Sequence, residues 1–183
     1  MSYKLELELF HNCRAEGNKD TLDVPFLSRK NHQWLSQGYY FWTDSLRFAE
    51  NWGKGKRYVY KFTYVVDREN LLDLVGSVSD QLKFIEDYLE TFKILTTTVK
   101  ELNKYQHQNV PIGAIIDVLR EYDEFPYHAI KAYDKPKISQ YYRYAYKGSE
   151  GAYIPTRQQI VIFKDFVDNS LKLSKEFLCE VEV

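Results

Sequence analysis

The sequence of 183 residues predicts one domain of mixed α+β class, with a largely antiparallel or split sheet and helices inserted between its strands. Two observations support this prediction. Segments with the two-residue alternation of β-strands lie at both ends of the chain, whereas the helical patterns lie together in its middle. The alternating strand–helix order that is typical of parallel sheets is therefore not indicated. A chain of this length buries a sizeable core, and we treat residues 1–183 as a single domain.

Residues 3–11 form the first predicted strand. Leu5, Leu7 and Leu9 share one face with His11, whereas a lysine and two glutamates occupy the other face. His11 is therefore expected at the end of a strand, on its apolar face. In that position it is either a core histidine whose hydrogen bonds are satisfied or a contact to a ligand.

The second predicted strand opens at Gly38 and carries Tyr39 and Tyr40 on opposite faces. It turns at once into a short helix over residues 47–52, for which residues 43–45 are candidate N-caps. An aromatic strand beside a helix N-terminus suits a ligand that carries a flat ring and a phosphate. The alternative interpretation is a buried aromatic strand followed by an amphipathic helix.

The remaining elements follow from the same patterns. Residues 77–102 carry apolar side chains three and four positions apart, which predicts a long helix with Leu82 and Ile85 on its apolar stripe. Pro111 suits the first turn of a second helix that extends to residue 122. Further strands are predicted over residues 57–67, 128–133, 158–163 and 176–183.

Composition and motifs exclude several classes of function. The net charge of −1 gives no basic field over the whole chain, and two cysteines make neither a disulfide framework nor a metal cluster. No apolar run approaches the ~18 residues of a membrane span, and the first residues have no secretory pattern. Phosphate-binding glycine loops, zinc spacings and a nucleophile elbow are also missing from the sequence. We therefore expect a cytoplasmic protein that uses neither a metal nor a membrane.

Three separated segments resemble one superfamily. They are Leu-Phe-His-Asn at 9–12, Gly-Tyr-Tyr-Phe at 38–41 with a helix that ends in Trp52, and Gln-Ile-Val-Ile-Phe-Lys-Asp at 159–165. In this order they are similar to the His-Tyr-Glu signature of the ADP-ribosyltransferase superfamily, on its poly(ADP-ribose) polymerase and diphtheria-toxin side. The resemblance spans most of the chain, and the size is similar to that of small bacterial and phage members. It implies an ADP-ribosyltransferase-like split antiparallel sheet with inserted helices.

The resemblance also implies roles for individual residues. His11 would hydrogen-bond a ribose hydroxyl in the adenosine half of NAD, and Tyr40 would stack on the nicotinamide ring. The third signature position is assigned to Gln159, with Gln158 as the alternative; their side chains point to opposite faces of a strand, so only one enters the cleft. Asn12 and Arg14 are the further candidates for contacts to NAD, the latter at its pyrophosphate.

The implied activity is transfer of one ADP-ribose from NAD to a macromolecular acceptor, a protein or a nucleic acid, with release of nicotinamide. A glutamine orients a hydroxyl but cannot act as a base, which argues against efficient polymer elongation. Analogy with small family members suggests a toxin or a phage-defence effector, with an antitoxin or another protein as a partner. The alternative is a module of the same fold that is weakly active or inactive and binds NAD, ADP-ribose or a partner protein.

Overall fold

The computed structural model describes residues 3–28, 33–106, 110–134, 141–143, 151–153, 157–167 and 169–183. These residues form a mixed α+β structure around one sheet of eight strands, so the predicted α+β class is confirmed. No helix in the described part of the chain is both long and apolar enough to cross a membrane.

The strands are β1 Lys4–Arg14, β2 Leu27–Ser28, β3 Gly38–Thr43, β4 Lys56–Asp67, β5 Leu71–Asp73, β6 Ala129–Tyr133, β7 Tyr141–Arg143, β8 Gly151–Tyr153, β9 Gln158–Ile162 and β10 Glu176–Glu182. Six strands, β1, β3, β4, β6, β9 and β10, lie close to the predicted positions, and the short strands β2, β5, β7 and β8 were not predicted. The main sheet has the order β10-β4-β1-β3-β9-β6-β5, and β2 pairs with β3. All of these pairs are antiparallel except β5 with β6. Strands β7 and β8 form a separate antiparallel pair.

The helices are α1 Leu46–Glu50, α2 Val78–Lys83, α3 Leu89–Thr98, α4 Ile112–Glu121 and α5 Asn169–Leu173. The long helix predicted over residues 77–102 is instead divided, because a π-helical segment, Phe84–Tyr88, separates α2 from α3 and a 3-10 helix, Lys100–Tyr105, follows. The predicted apolar stripe is wrong at this point. Leu82 and Ile85 are about half exposed, and Phe84 and Tyr88 are buried in their place, since the wider turn changes the rotation of the side chains before it relative to those after it.

Strands β1 and β3 pair over only two residues, which determines where the sheet opens. Leu9 faces Thr43 and Phe10 faces Trp42, after which the rest of β1 pairs with β4 alone. On its other side β3 continues to pair with β9, and β2 takes the edge that β1 has left. The expectation that His11 ends its strand is wrong, since β1 continues to Arg14. His11 is instead the first residue beyond the point where the two strands part.

Residues 33–36 cross the opening and are held against α4; we call them the strap. A Cβ atom added to Gly113 in α4 would lie 2.0 Å from the carbonyl oxygen of Gln33 and 2.9 Å from the backbone nitrogen of Ser36. The hydroxyl of Ser36 donates a hydrogen bond to the carboxylate of Asp117, also in α4. Helix α4 thus positions the strap through a contact that only glycine permits.

We predict that Gly113→Ala lowers the free energy of unfolding by about 2 kcal/mol, because the added methyl group displaces the strap or the helix. Helix propensity alone predicts the opposite sign, a gain of about 1 kcal/mol. The neighbouring exchange Ala114→Gly is the control, with an expected loss of about 1 kcal/mol. Urea unfolding followed by circular dichroism measures all three proteins. A Gly113→Ala protein that is more stable than the wild type would show that the helix does not hold the strap closely.

Candidate functional site

A cavity of about 820 Å³ opens where β1 and β3 part. Its lining contains five of the residues singled out from the sequence: His11, Asn12, Arg14, Tyr40 and Gln159. They come from three strands, β1, β3 and β9, that are far apart in the chain. The separation of β1 from β3 therefore leaves one cavity that these five residues line.

Of the two alternative glutamines, Gln159 lines the cavity. It faces Trp42 across the β3–β9 ladder, and Gln158 faces Tyr133 on β6. Since successive side chains of a strand point to opposite faces, Gln158 is directed away from the space that Gln159 enters. The side-chain oxygen of Gln158 is buried without a hydrogen-bond partner among the described residues.

His11 is held as a neutral imidazole. Its ring is buried, its Nδ1 lies 3.0 Å from the carbonyl oxygen of Tyr40, and the backbone N–H of Phe26 donates to its Nε2 over 3.4 Å. A carbonyl oxygen only accepts, so the proton is on Nδ1. Burial lowers the pKa of His11 to about 4; the hydrogen bond to Tyr40 opposes this shift, and the charge of Arg57 adds to it.

The hydroxyl of Tyr40 is anchored by the strap. It donates to the carbonyl oxygen of Ser36 over 2.6 Å and accepts from the backbone N–H of Leu35 over 3.1 Å. Burial raises the pKa of Tyr40 well above its usual value, with the hydrogen bond from Leu35 opposing and the charge of Asp117 adding to the shift. The phenol is therefore un-ionised at neutral pH, and its ring, which lines the cavity, is fixed at its tip. Tyr39, on the other face of the strand, is partly buried and packs against the core.

Trp34 in the strap was not singled out by the sequence analysis, although it fixes the third predicted residue. Its indole N–H donates to the side-chain oxygen of Gln159 over 3.0 Å. This leaves the amide NH₂ of Gln159 as the remaining donor of that side chain. The two residues are 125 positions apart in the chain, so no local pattern predicts their contact.

Arg57 is the second residue that the sequence analysis missed. Its Nε donates to the side-chain oxygen of Asn12 over 2.7 Å, and the amide nitrogen of Asn12 donates to the carbonyl oxygen of Ala49 over 2.6 Å. Asn12 thus joins β4 to α1 through its side chain. Arg14, by contrast, is exposed and lies 3.7 Å from Glu16. The better ordered cation of the cavity is therefore Arg57, even though burial lowers its pKa somewhat.

Helix α1 does not present its N-terminus to this cavity. Residues 43–46 line a different, smaller cavity together with Glu6 and Glu8, so the sequence-based pairing of a helix N-terminus with the aromatic strand is wrong. Trp52, just beyond the C-terminal end of α1, lines the main cavity instead. It is 46% exposed, and Phe26, which also lines the cavity and directly precedes β2, is 48% exposed. The cavity thus has aromatic side chains that solvent reaches.

The chemistry of the lining is that of hydrogen bonding and ring packing. His11, Tyr40 and Gln159 are all uncharged at neutral pH, and the carboxylates among the described lining residues, Glu16 and Asp134, are each paired with an arginine. In the described ranges no group of three or more His, Cys, Asp or Glu side chains could hold a metal ion. Such a site can orient hydroxyl groups and hold a flat ring.

Comparison of the chain with the models of known protein families, with curated proteins and with solved structures finds no match in any of the three.

Proposed function

We propose that this protein is a mono-ADP-ribosyltransferase of the His-Tyr-Glu type that uses NAD as a co-substrate and releases nicotinamide. The observation that carries the proposal is the meeting of His11, Tyr40 and Gln159 in one cavity, since these three were selected from separate sequence segments. The volume of about 820 Å³ is within the range of small-molecule sites. The parting of β1 from β3 supports a split-sheet fold of the ADP-ribosyltransferase type.

Each of these residues suits one part of NAD. The ring of Tyr40 suits the nicotinamide, and the amide of Gln159 suits a hydroxyl of the adjacent ribose. Nε2 of His11 suits a hydroxyl of the adenosine ribose, which would replace the 3.4 Å hydrogen bond from the N–H of Phe26. Arg14 supplies positive charge for the pyrophosphate. Asn12 contributes through its backbone, because its side chain is bonded to Ala49 and Arg57.

The reaction exchanges one bond at the anomeric carbon of the nicotinamide ribose. The bond to the nicotinamide nitrogen breaks, its electron pair leaves with nicotinamide, and a nucleophile of the acceptor bonds to the same carbon and gives its proton to solvent. Fixed orientation of both partners is the main contribution that uncharged side chains can make. Without a carboxylate at position 159 the site favours an acceptor that is already nucleophilic.

The proposed biological setting rests on analogy with small family members. It is the cytoplasm of a bacterial cell, where the protein acts as a toxin or a phage-defence effector on a protein or nucleic acid, under control of an antitoxin or another partner protein.

A second candidate is a non-catalytic module that binds NAD, ADP-ribose or a partner protein. Two observations favour it. Position 159 lacks a charge, and the hydroxyl of Tyr40, the side-chain oxygen of Gln159 and both ring nitrogens of His11 are already hydrogen-bonded within the chain. The two functions differ in turnover, because a binding module is stabilised by NAD without releasing nicotinamide.

We predict that the ring of Tyr40 is required for nicotinamide release. Tyr40→Leu keeps an apolar side chain, although a smaller one, and removes the ring, and we expect release from NAD to fall at least about 10-fold, whereas Tyr40→Phe keeps most of it. Release is measured for the purified proteins with and without a cell lysate as the source of acceptor. Tyr39→Leu, on the opposite face, is the control. Equal release by Tyr40→Leu and the wild type, with both folded, would exclude this site.

We predict that Gln159→Glu raises nicotinamide release by about 10-fold or more, because a carboxylate offsets developing positive charge and accepts a proton. Trp34 can still donate to the new side chain, so the local structure is retained. A thermal-shift titration with NAD is run in parallel. Stabilisation by NAD without release from either protein would leave the binding module as the function.

The neutral state of His11 predicts a defined pH dependence of stability. The unfolded chain protonates this histidine below pH ~6.5, but the folded protein does so only below about pH 4. Stability is therefore complete above the unfolded pKa and decreases by about 3 kcal/mol as the pH falls from ~6.5 to 4. His11→Gln should remove the fall in the free energy of unfolding that protonation of His11 causes, whereas His128→Gln should leave that fall unchanged. The test is urea unfolding over this pH range; identical profiles for His11→Gln and the wild type would refute the assignment.

A further inference from the structure

A third cavity, of about 660 Å³ and shallower than the main one, adjoins the main cavity. We call it the Trp52 cleft; its lining includes Trp52 and four basic residues, Arg14, Lys54, Arg57 and Arg157. Arg14, Trp52 and Arg57 line both cavities. A molecule in the Trp52 cleft would therefore lie directly beside the proposed NAD site.

The charge of the Trp52 cleft contrasts with that of the whole chain, whose net charge is −1. No carboxylate is among the described residues that line the cleft. Arg157 is paired with Asp134, and Arg14 lies near Glu16. Arg57 bonds an uncharged amide, and within the described ranges neither it nor Lys54 has an ion pair. Two positive charges thus remain for an anionic ligand.

The cleft also offers an aromatic surface. The indole of Trp52 meets that of Trp42 edge-on, with ring centroids 5.3 Å apart, and the guanidinium of Arg157 lies 5.6 Å from the Trp52 centroid and 5.4 Å from the Trp42 centroid. These contacts hold an indole that solvent still reaches over 46% of its surface. An exposed but positioned indole is suited to stacking on a base.

The central cation of the cleft is held in place from two sides. The side-chain oxygen of Asn12 accepts from Arg57, and the backbone of Gly53 lies against the guanidinium, so that a Cβ atom added to Gly53 would be 3.0 Å from its central carbon. The φ angle of Gly53 is +102°, a value that other residues rarely adopt. Because the side chain of Arg57 is already ordered in the free protein, it loses less conformational entropy when a ligand binds.

We propose that the Trp52 cleft is the acceptor site and binds a single strand of nucleic acid, with a base stacked on Trp52 and phosphates at Arg57 and Lys54. This inference rests on the function proposed above, since the next nucleotide would then carry the nucleophile into the main cavity. An acidic protein would pair with the cations, but it would leave the exposed indole of Trp52 without a stacking partner. In a duplex the bases are already stacked on one another and cannot stack on Trp52. The combination of stacking surface and cations therefore favours a single strand.

The test measures binding in the absence of NAD. Fluorescence anisotropy is recorded with labelled 12-nucleotide single strands of DNA and of RNA, with the same DNA sequence as a duplex, and with a labelled polyglutamate peptide. The variants are Trp52→Ala, which removes the stacking surface, and Lys54→Gln, which removes one charge in an exposed turn. Lys93→Gln in α3, which lines neither cavity, is the matched control for charge.

We expect one or both single strands to bind more tightly than the duplex and the peptide. Trp52→Ala should weaken binding ~10-fold, Lys54→Gln should reduce the dependence of log Kd on log salt concentration by about 0.7, and Lys93→Gln should change neither. Equal binding of the peptide or the duplex, or no effect of Trp52→Ala, would overturn the proposal.

Nicotinamide release measured with the same oligonucleotides separates the two proposals. Release that rises with a single strand supports both of them. Release that requires lysate, in a protein that binds no strand, overturns the acceptor site and leaves the transferase. Binding of the strand without any release overturns the transferase and, with it, the role of the strand as an acceptor.

Discussion

The candidate site depends on the contact between the His11 ring and the carbonyl oxygen of Tyr40, 3.0 Å apart. Beyond Phe10 and Trp42 the two strands no longer share backbone hydrogen bonds, and a buried backbone carbonyl without a partner is costly. At this point the imidazole N–H of His11 supplies the hydrogen bond that a backbone N–H of the neighbouring strand would otherwise donate to the carbonyl oxygen of Tyr40. It does so only when Nδ1 carries a proton, and the N–H of Phe26 bonded to Nε2 completes the neutral ring. His11 thus makes the last contact between β1 and β3 and is also a lining residue of the cavity.

The strap fixes the other two side chains of the candidate site, those of Tyr40 and Gln159. Its backbone holds the hydroxyl of Tyr40 and its indole, on Trp34, holds Gln159. The strap itself depends on α4, through Gly113 and Asp117. The helices packed on β6 and β9 therefore stabilise the site as well as the core. Since side chains of the site are fixed by neighbours, little reorganisation is needed when a ligand enters.

The longer strands β1, β3, β4, β6, β9 and β10 could be predicted to within three residues because alternation is a local property, whereas the strands of two or three residues, β2, β5, β7 and β8, are too short to show it. His11, Tyr40 and Gln159 were selected because each lies in a short local pattern. Trp34 and Arg57 were missed, since their partners are 125 and 45 positions away. The choice between Gln158 and Gln159 required the strand register. Leu82 and Ile85 were misplaced because regular helical spacing does not anticipate a π turn. Contacts between residues far apart in the chain, such as Trp34 with Gln159 and Arg57 with Asn12, could not be predicted from the sequence.

The most direct test of the account is a crystal structure of the protein with a carbocyclic NAD analogue that cannot be cleaved. The account predicts the nicotinamide ring against the ring of Tyr40, with Gln159 at the adjacent sugar and His11 at the adenosine ribose. It would be contradicted by an analogue bound elsewhere on the protein, or by a protein that remains folded and binds none at millimolar concentration.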